Sequence, residues 1–212
     1  MKKIITTLLI VLGVYSFAQA QTKNEFGIGG GIGRSSMYSS DQNNYSGSKT
    51  GFNFYLGGEH YFSNRWGIKI KVIYDQKGWM EPTVTVSSNP LSSYTLTAFT
   101  TYTNVKFNLN YITVPVMANW HFGSTRNWYL NFGPYIGFLT SASYQISPAS
   151  DLKSAFHSTD AGLALGIGIK LPVSKSTKFF IEYDGQGGIT NTVKYNPSAT
   201  NVRGSLNVGF NF

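Results

Sequence analysis

Asn-Val-Arg-Gly-Ser-Leu-Asn-Val-Gly-Phe-Asn-Phe, residues Asn201–Phe212, alternates without a break. Val202, Leu206, Val208, Phe210 and Phe212 share one parity with Gly204, while Asn201, Arg203, Ser205, Asn207, Gly209 and Asn211 take the other. Successive side chains of a strand point to opposite faces, so one face here is apolar and the other polar. Sustained over a dozen residues, this pattern suits a strand with lipid on one side and a polar interior on the other.

Seven more segments carry the same period of two. Around 25–36, Phe26, Ile28 and Ile32 oppose a row of glycines. Around 51–62, Phe52, Phe54 and Leu56 alternate with Asn53, Tyr55 and Glu59. Around 66–78, Trp66, Ile68, Ile70, Val72 and Tyr74 oppose Lys69, Lys71 and Asp75. In 105–122 the apolar row changes parity, from Phe107, Leu109 and Tyr111 to Ile112, Val114, Val116, Ala118 and Trp120, which predicts a β-bulge near Tyr111 or Pro115. The stretches 128–143, 160–171 and 178–189 complete a set of eight strands.

The connections sort into two kinds. Short turns at 63–65, 123–127 and 172–177 alternate with longer polar loops at about 37–50, 79–104, 144–159 and 190–200. A soluble β-sandwich does not explain that asymmetry, whereas a barrel with short periplasmic turns and long extracellular loops requires it. Phe62, Trp66, Trp120, Phe122, Trp128, Phe179 and Phe212 all lie beside the short turns or the last residue. They predict an aromatic girdle at the periplasmic interface. Tyr38, Trp79, Tyr94, Tyr102 and Tyr144 are candidates for an outer girdle.

Composition agrees. Charged residues make up 12% and aromatics 16%, and that charge content is about half the usual share for a soluble domain. Beyond the N-terminus no apolar run reaches the ~20 residues of a spanning helix. A membrane protein lacking such helices must be a closed barrel, because only closure satisfies every backbone group in lipid. The fold expected is therefore all-β, an eight-stranded antiparallel up-and-down transmembrane barrel.

Lys2 and Lys3, the apolar stretch Ile4–Val14 and Ala18-Gln19-Ala20 read as a signal peptide over residues 1–20, followed by an outer-membrane barrel domain over 21–212. Losing Lys2 and Lys3 lowers the formal net charge from +8 to +6. The remaining bases are scattered, so nucleic acid is not an expected partner. The chain has no cysteine, which excludes disulfides, thiolate zinc sites and a lipidated cysteine.

An eight-stranded barrel has an interior that side chains fill. The polar rows place Glu25, Glu59, Asp75, Glu182 and Asp184 there, against Lys69, Lys71, Lys106, Lys170 and Arg203. Buried charges must be paired, so a near-neutral ion-pair network is expected in the lumen. The inward glycines Gly27, Gly29, Gly31, Gly33, Gly166 and Gly168 leave room for a narrow channel as the alternative. His157-Ser158-Thr159-Asp160 holds the residue types of a hydrolase triad, yet neighbours on a strand face opposite ways and do not converge. His60 and His121 read as interface residues, and Lys49, Arg126 and Lys178 as rim bases for lipid phosphates. No metal-ligand spacing occurs, no cofactor is expected, and no residue is assigned a catalytic role.

Four features stand in order: the signal peptide, Tyr111-Ile112-Thr113-Val114-Pro115-Val116, Gly133-Pro134-Tyr135-Ile136-Gly137-Phe138-Leu139, and Asp160 followed by Gly166-Ile167-Gly168. With the final Phe212, this resembles the outer-membrane β-barrel domain family of the Bacteroidota, often labelled porin-family or PorT-like. The resemblance implies an eight-stranded barrel in the outer membrane and carries no single activity. Leu206, Val208, Phe210 and Phe212 resemble the signal read by the outer-membrane assembly machinery. The expected function is a non-enzymatic structural or interaction-mediating protein, including an accessory subunit beside another outer-membrane protein. A narrow ion or solute channel is the alternative, with a lipid A-modifying enzyme behind it. The expected partners are outer-membrane lipid and lipopolysaccharide together with the assembly machinery.

Overall fold

A computed structural model describes residues 24–39, 44–88, 98–145, 152–195 and 198–212. The expected signal peptide, 1–20, and Tyr94 of the expected outer girdle lie outside the described residues. The strands are β1 (Asn24–Ser39), β2 (Asn44–Tyr45), β3 (Gly47–Tyr61), β4 (Trp66–Ser88), β5 (Ala98–Phe122), β6 (Trp128–Tyr144), β7 (Thr159–Pro172), β8 (Lys178–Gly188) and β9 (Ala199–Asn211). The two-residue β2 only extends β1 at its outer end. The other eight form the wall: each pairs antiparallel with its neighbour in the chain, and β9 returns to β1, pairing Gly27 with Asn211 through Ser39 with Ala199. The ring has no free edge along the wall, which is what lipid demands of a sheet.

The alternation read from sequence sets the faces. Along β9, Asn201, Arg203, Ser205, Asn207 and Asn211 are buried while Leu206, Val208 and Phe210 are exposed. The same inversion of a soluble protein, polar inside and apolar outside, runs round the wall through Phe54, Ile70, Phe132, Leu165 and Ile181. Two of the three short turns use one device. Ser63 Oγ accepts the Arg65 and Trp66 amides at 3.2 and 2.9 Å, and Ser174 Oγ accepts those of Ser176 and Thr177 at 3.3 and 3.1 Å.

Two expectations are corrected here. No parity switch occurs in β5: Val105, Leu109, Tyr111, Thr113, Met117, Asn119 and His121 are buried along one continuous odd row. A bulge does occur beside Tyr111, as expected, but its extra residue belongs to β6: Asn110 faces Ser141 and Tyr111 faces Leu139, leaving Thr140 without a partner. Thr140 Oγ1 donates to the Asn110 carbonyl at 2.9 Å and holds the bulge in place. The region 79–104 is not a loop throughout. β4 and β5 continue as a two-stranded ribbon, with pairs running from Thr83 with Thr103 to Ser88 with Ala98.

Candidate functional site in the lumen

Three tiers of paired charge stack along the barrel axis. At the short-turn end, the Lys170 ammonium bonds the Glu25 carboxylate, Glu59 Oε2 at 2.8 Å and the Tyr61 hydroxyl at 2.8 Å. His121 Nε2 and Asn119 Nδ2 each lie 2.7 Å from Glu59 Oε1. Tyr61 donates to Glu25 at 2.9 Å, and Lys178 pairs with Glu25 from the rim.

In the middle tier Glu182 lies between Lys69, at 2.8 Å, and Lys71, with Asn131 donating at 2.9 Å. Arg203 bridges Asp75 and Asp184 at 3.0 and 2.8 Å and donates to Ser205 at 2.7 Å. In the outer tier Lys77 meets Asp160 at 2.9 Å, where Tyr135 and Asn201 also donate to the carboxylate. Each of the four lysines of these tiers also stands over a tyrosine ring. The distance is 4.6 Å for Lys69 on Tyr129, Lys71 on Tyr55 and Lys77 on Tyr135, and 5.4 Å for Lys170 on Tyr61.

Among the described residues six acids and six Lys or Arg side chains are buried, so the interior is balanced. Balance matters because an unpaired buried ion costs several kcal/mol, on the order that a whole domain can spare.

Above the outer tier the lumen ends in an apolar cluster of Met37, Trp79, Leu109, Tyr111, Leu139, Ala142, Phe156 and Ala199. Trp79 stacks on Phe107 at 4.6 Å and meets Phe156 edge-on at 5.9 Å. Phe156 comes from the β6–β7 connection and is bridged to Val193, so two outer loops close the mouth together.

Of the residues expected in the network, Glu59, Lys69, Lys71, Asp75, Lys170, Glu182, Asp184 and Arg203 are buried inside, as is Glu25. Lys106 is corrected: it is exposed beside inward Val105, on the outer side of β5 near the mouth. Two participants, Lys77 and Asp160, were overlooked, and His121 is corrected from interface residue to interior, although parity carried a signal for each. Lys77 continues the row of Lys69, Lys71 and Asp75, Asp160 that of Gly162 and Gly166, and His121 that of Asn119. Lys49 is corrected from rim to interior: it is buried on the row of Asn53 and donates to the Lys77 carbonyl at 3.3 Å.

His157 is exposed while Asp160 points into the lumen, so that pair does not assemble. Among the described residues no group of three or more His, Asp or Glu side chains is placed to hold a metal ion. On the outer surface at the short-turn end, Trp66 stacks on Trp120 at 6.2 Å, Trp120 on Phe122 at 5.1 Å and Phe122 on Trp128 at 6.4 Å. Phe62 and Phe212 are exposed, Phe179 meets Phe210 at 5.5 Å, and Leu206, Val208 and Phe210 face outward with them. Trp79 is no outer-girdle residue; it is buried in the cluster at the mouth.

Residues 17–194 match the family model described as outer membrane protein beta-barrel domain. The chain belongs to that family. It is an outer-membrane β-barrel protein, and its location is the cell outer membrane. Among solved structures it is similar to Neisserial surface protein A, with a TM-score of 0.50 and 16% identity over 88% of this chain and 95% of that one. OprG from Pseudomonas aeruginosa gives 0.49 and 14% over 91% and 97%. Ail, the attachment invasion locus protein of Yersinia pestis, in complex with the heparin analogue sucrose octasulfate, gives 0.45 and 14% over 90% and 100%. At such identities the likeness speaks for the fold alone. No curated protein matches this family member in sequence.

Proposed function

We propose that this protein is a non-enzymatic scaffold of the outer membrane, structural or interaction-mediating, which acts through its loops and lipid-facing surface and not as a pore. One observation carries the reading: paired charges occupy the lumen from Glu25 to Asp160, and the Trp79–Phe156 cluster closes its outer end. The inward glycines that left room for a channel are filled over. A Cβ on Gly29 would meet Phe180 and Tyr55 at 2.7 and 3.0 Å, and one on Gly31 would meet Asn207 at 2.3 Å. The lumen carboxylates are held by bases, so none is free to act as a general base. Among the described residues, the His157–Asp160 pair that lipid A chemistry could draw on at the outer end does not assemble.

The finer assignments belong to the same proposal. Residues 1–20 are removed on export, 21–212 form the mature barrel, and the chain falls in the Bacteroidota porin-family, PorT-like branch. The Phe62–Phe212 aromatic set serves as the periplasmic girdle, and Leu206, Val208, Phe210 and Phe212 as the assembly signal. Lipopolysaccharide surrounds the barrel, and a larger outer-membrane complex is where an accessory subunit of this kind would work.

Planar-bilayer recording of the purified barrel is the test. Discrete, reproducible conductance steps would overturn the scaffold reading in favour of a channel. Silence, together with repeated recovery of one stoichiometric outer-membrane partner in mild detergent, is the outcome expected of an accessory subunit.

A further inference from the structure

The ion-pair column stops short of the periplasmic surface. Beyond Lys170 a cavity of about 420 Å³ opens between the short turns, with Tyr61, His121, Arg126, Asn127, Lys170 and Lys178 among its walls. Every Lys, Arg, Asp or Glu lining it is a base. The three short turns carry Arg65, Arg126 and Lys175 and no acid at all.

The bases differ in what they have left to give. Lys170 spends its three donors on Glu25, Glu59 and Tyr61. Lys178 has Glu25 as its carboxylate partner, and its side chain is 41% exposed, leaving donors turned to solvent. The Arg126 guanidinium has no hydrogen-bond or ion-pair partner among the described residues.

Its backbone makes Arg126 a second, independent pointer. Arg126 has φ 56°, the left-handed region usually given to glycine or asparagine, and it closes the turn by bonding its amide to the Gly123 carbonyl at 3.4 Å. Its carbonyl lies 3.3 Å from His121 Nδ1, which ties this turn to the Glu59 tier. A strained backbone held by the network behind it is a feature of binding sites.

We propose that the periplasmic vestibule is an oxyanion-binding site, in which Arg126 and Lys178 take a phosphate or carboxylate group presented from the periplasm. The planar guanidinium suits two-point recognition of such a group. Asn64, Thr125 and Asn127 on the same wall supply uncharged polar contacts. The volume falls in the range of small-molecule sites, about 300–1,000 Å³, so the group arrives on a larger ligand. Two sources share this chemistry: a soluble periplasmic anion and the headgroup of an inner-leaflet phospholipid. The cavity opens inside the ring of turns and is lined by the lumen residues Tyr61, His121 and Lys170, whereas Trp66, Trp120 and Trp128 face out to the lipid. A soluble anion reaches it directly, and that is the source we assign. The site does not depend on whether the lumen conducts.

The test is a titration of the barrel with inorganic phosphate in neutral detergent at fixed chloride, followed by amide chemical shifts. Saturable shifts confined to residues 61–65, 121–127 and 170–178 are expected. Arg126→Gln and Lys178→Gln should each weaken binding at least about tenfold, while Arg65→Gln, which alters a base off the cavity wall, should change it less than about twofold. Heat-modifiable migration and an otherwise unchanged spectrum establish that each variant is folded, and either cavity variant alone suffices for the comparison. Shifts that never saturate, or equal losses in Arg65→Gln and Arg126→Gln, would reduce the site to diffuse surface charge and overturn the proposal. Repeating the titration in phosphatidylcholine nanodiscs with and without phosphatidylglycerol separates the sources. Unchanged phosphate affinity supports a soluble ligand, and competition by phosphatidylglycerol overturns that assignment in favour of the headgroup.

Discussion

Lys77 on β4 and Asp160 on β7 meet at 2.9 Å across the lumen, 83 residues apart in sequence, with each side chain only 1% exposed. Neither ion has water to fall back on, so removing one strands the other. Asp160→Asn should lower the stability of the barrel by about 3–5 kcal/mol. Adding Lys77→Met should restore most of it, because the asparagine can still accept from Tyr135 and Asn201 and the ammonium stranded by Asp160→Asn is gone. Urea unfolding from lipid vesicles, followed by tryptophan fluorescence, measures both. An Asp160→Asn barrel as stable as the parent would contradict the pairing.

The outward row of β7 tests the depth of the membrane. Leu165 pairs with Phe132 in the middle of the wall, whereas Leu171 lies one residue before the β7–β8 turn region, next to Pro172. An arginine facing lipid costs ~2–4 kcal/mol at the midplane and ~0–1 kcal/mol near an interface. Leu165→Arg should therefore impair refolding into vesicles far more than Leu171→Arg. Equal effects would place the membrane elsewhere on the barrel.

Gly31 and Gly187 make opposite predictions for one substitution. A Cβ at Gly31 would stand 2.2 Å from the Leu206 carbonyl oxygen and 2.3 Å from Asn207 Oδ1, whereas one at Gly187 meets nothing within 4 Å. Backbone on the neighbouring strand cannot swing aside as a side chain can. Gly31→Ala should cost about 1–3 kcal/mol through overpacking, and Gly187→Ala should be neutral within about 0.5 kcal/mol. The same unfolding assay reads both, and a harmless Gly31→Ala would show that β1 and β9 are not packed as described.

Orientation is testable because the chain lacks cysteine. Thr85 on the β4–β5 ribbon and Ser176 on the last short turn are both exposed, at opposite ends of the barrel. A membrane-impermeant maleimide should label Thr85→Cys in intact cells, and Ser176→Cys only after the outer membrane is permeabilised. The reverse pattern would turn the barrel over and move the Arg126 vestibule to the cell exterior.

Parity was readable from sequence wherever the wall has lipid outside and polar groups inside, and it misled where that condition ends. Phe107, Leu109 and Tyr111 looked like a lipid-facing row because they are apolar. They lie near the outer mouth, where the interior is an apolar cluster, so Leu109 and Tyr111 turn fully inward and Lys106 turns out. The apparent switch in β5 is thus a change of environment along one unbroken strand. The bulge does fall beside Tyr111, but its extra residue, Thr140, lies on the partner strand, where no adjoining proline or glycine marks it.

Sequence alone determined the eight strands, their closed antiparallel order, the short and long connections and the face on which most charges lie. Each of these depends on a period of two or on local turn chemistry, which neighbours in the chain carry. Only the tertiary structure decided which charge meets which, as when Glu182 joins Lys69 and Lys71 from 113 and 111 residues away. It also brought Phe156 over Trp79 and made the vestibule around Arg126. Those contacts depend on the register and stagger with which the sheet closes on itself, a property of the whole ring that no single strand encodes.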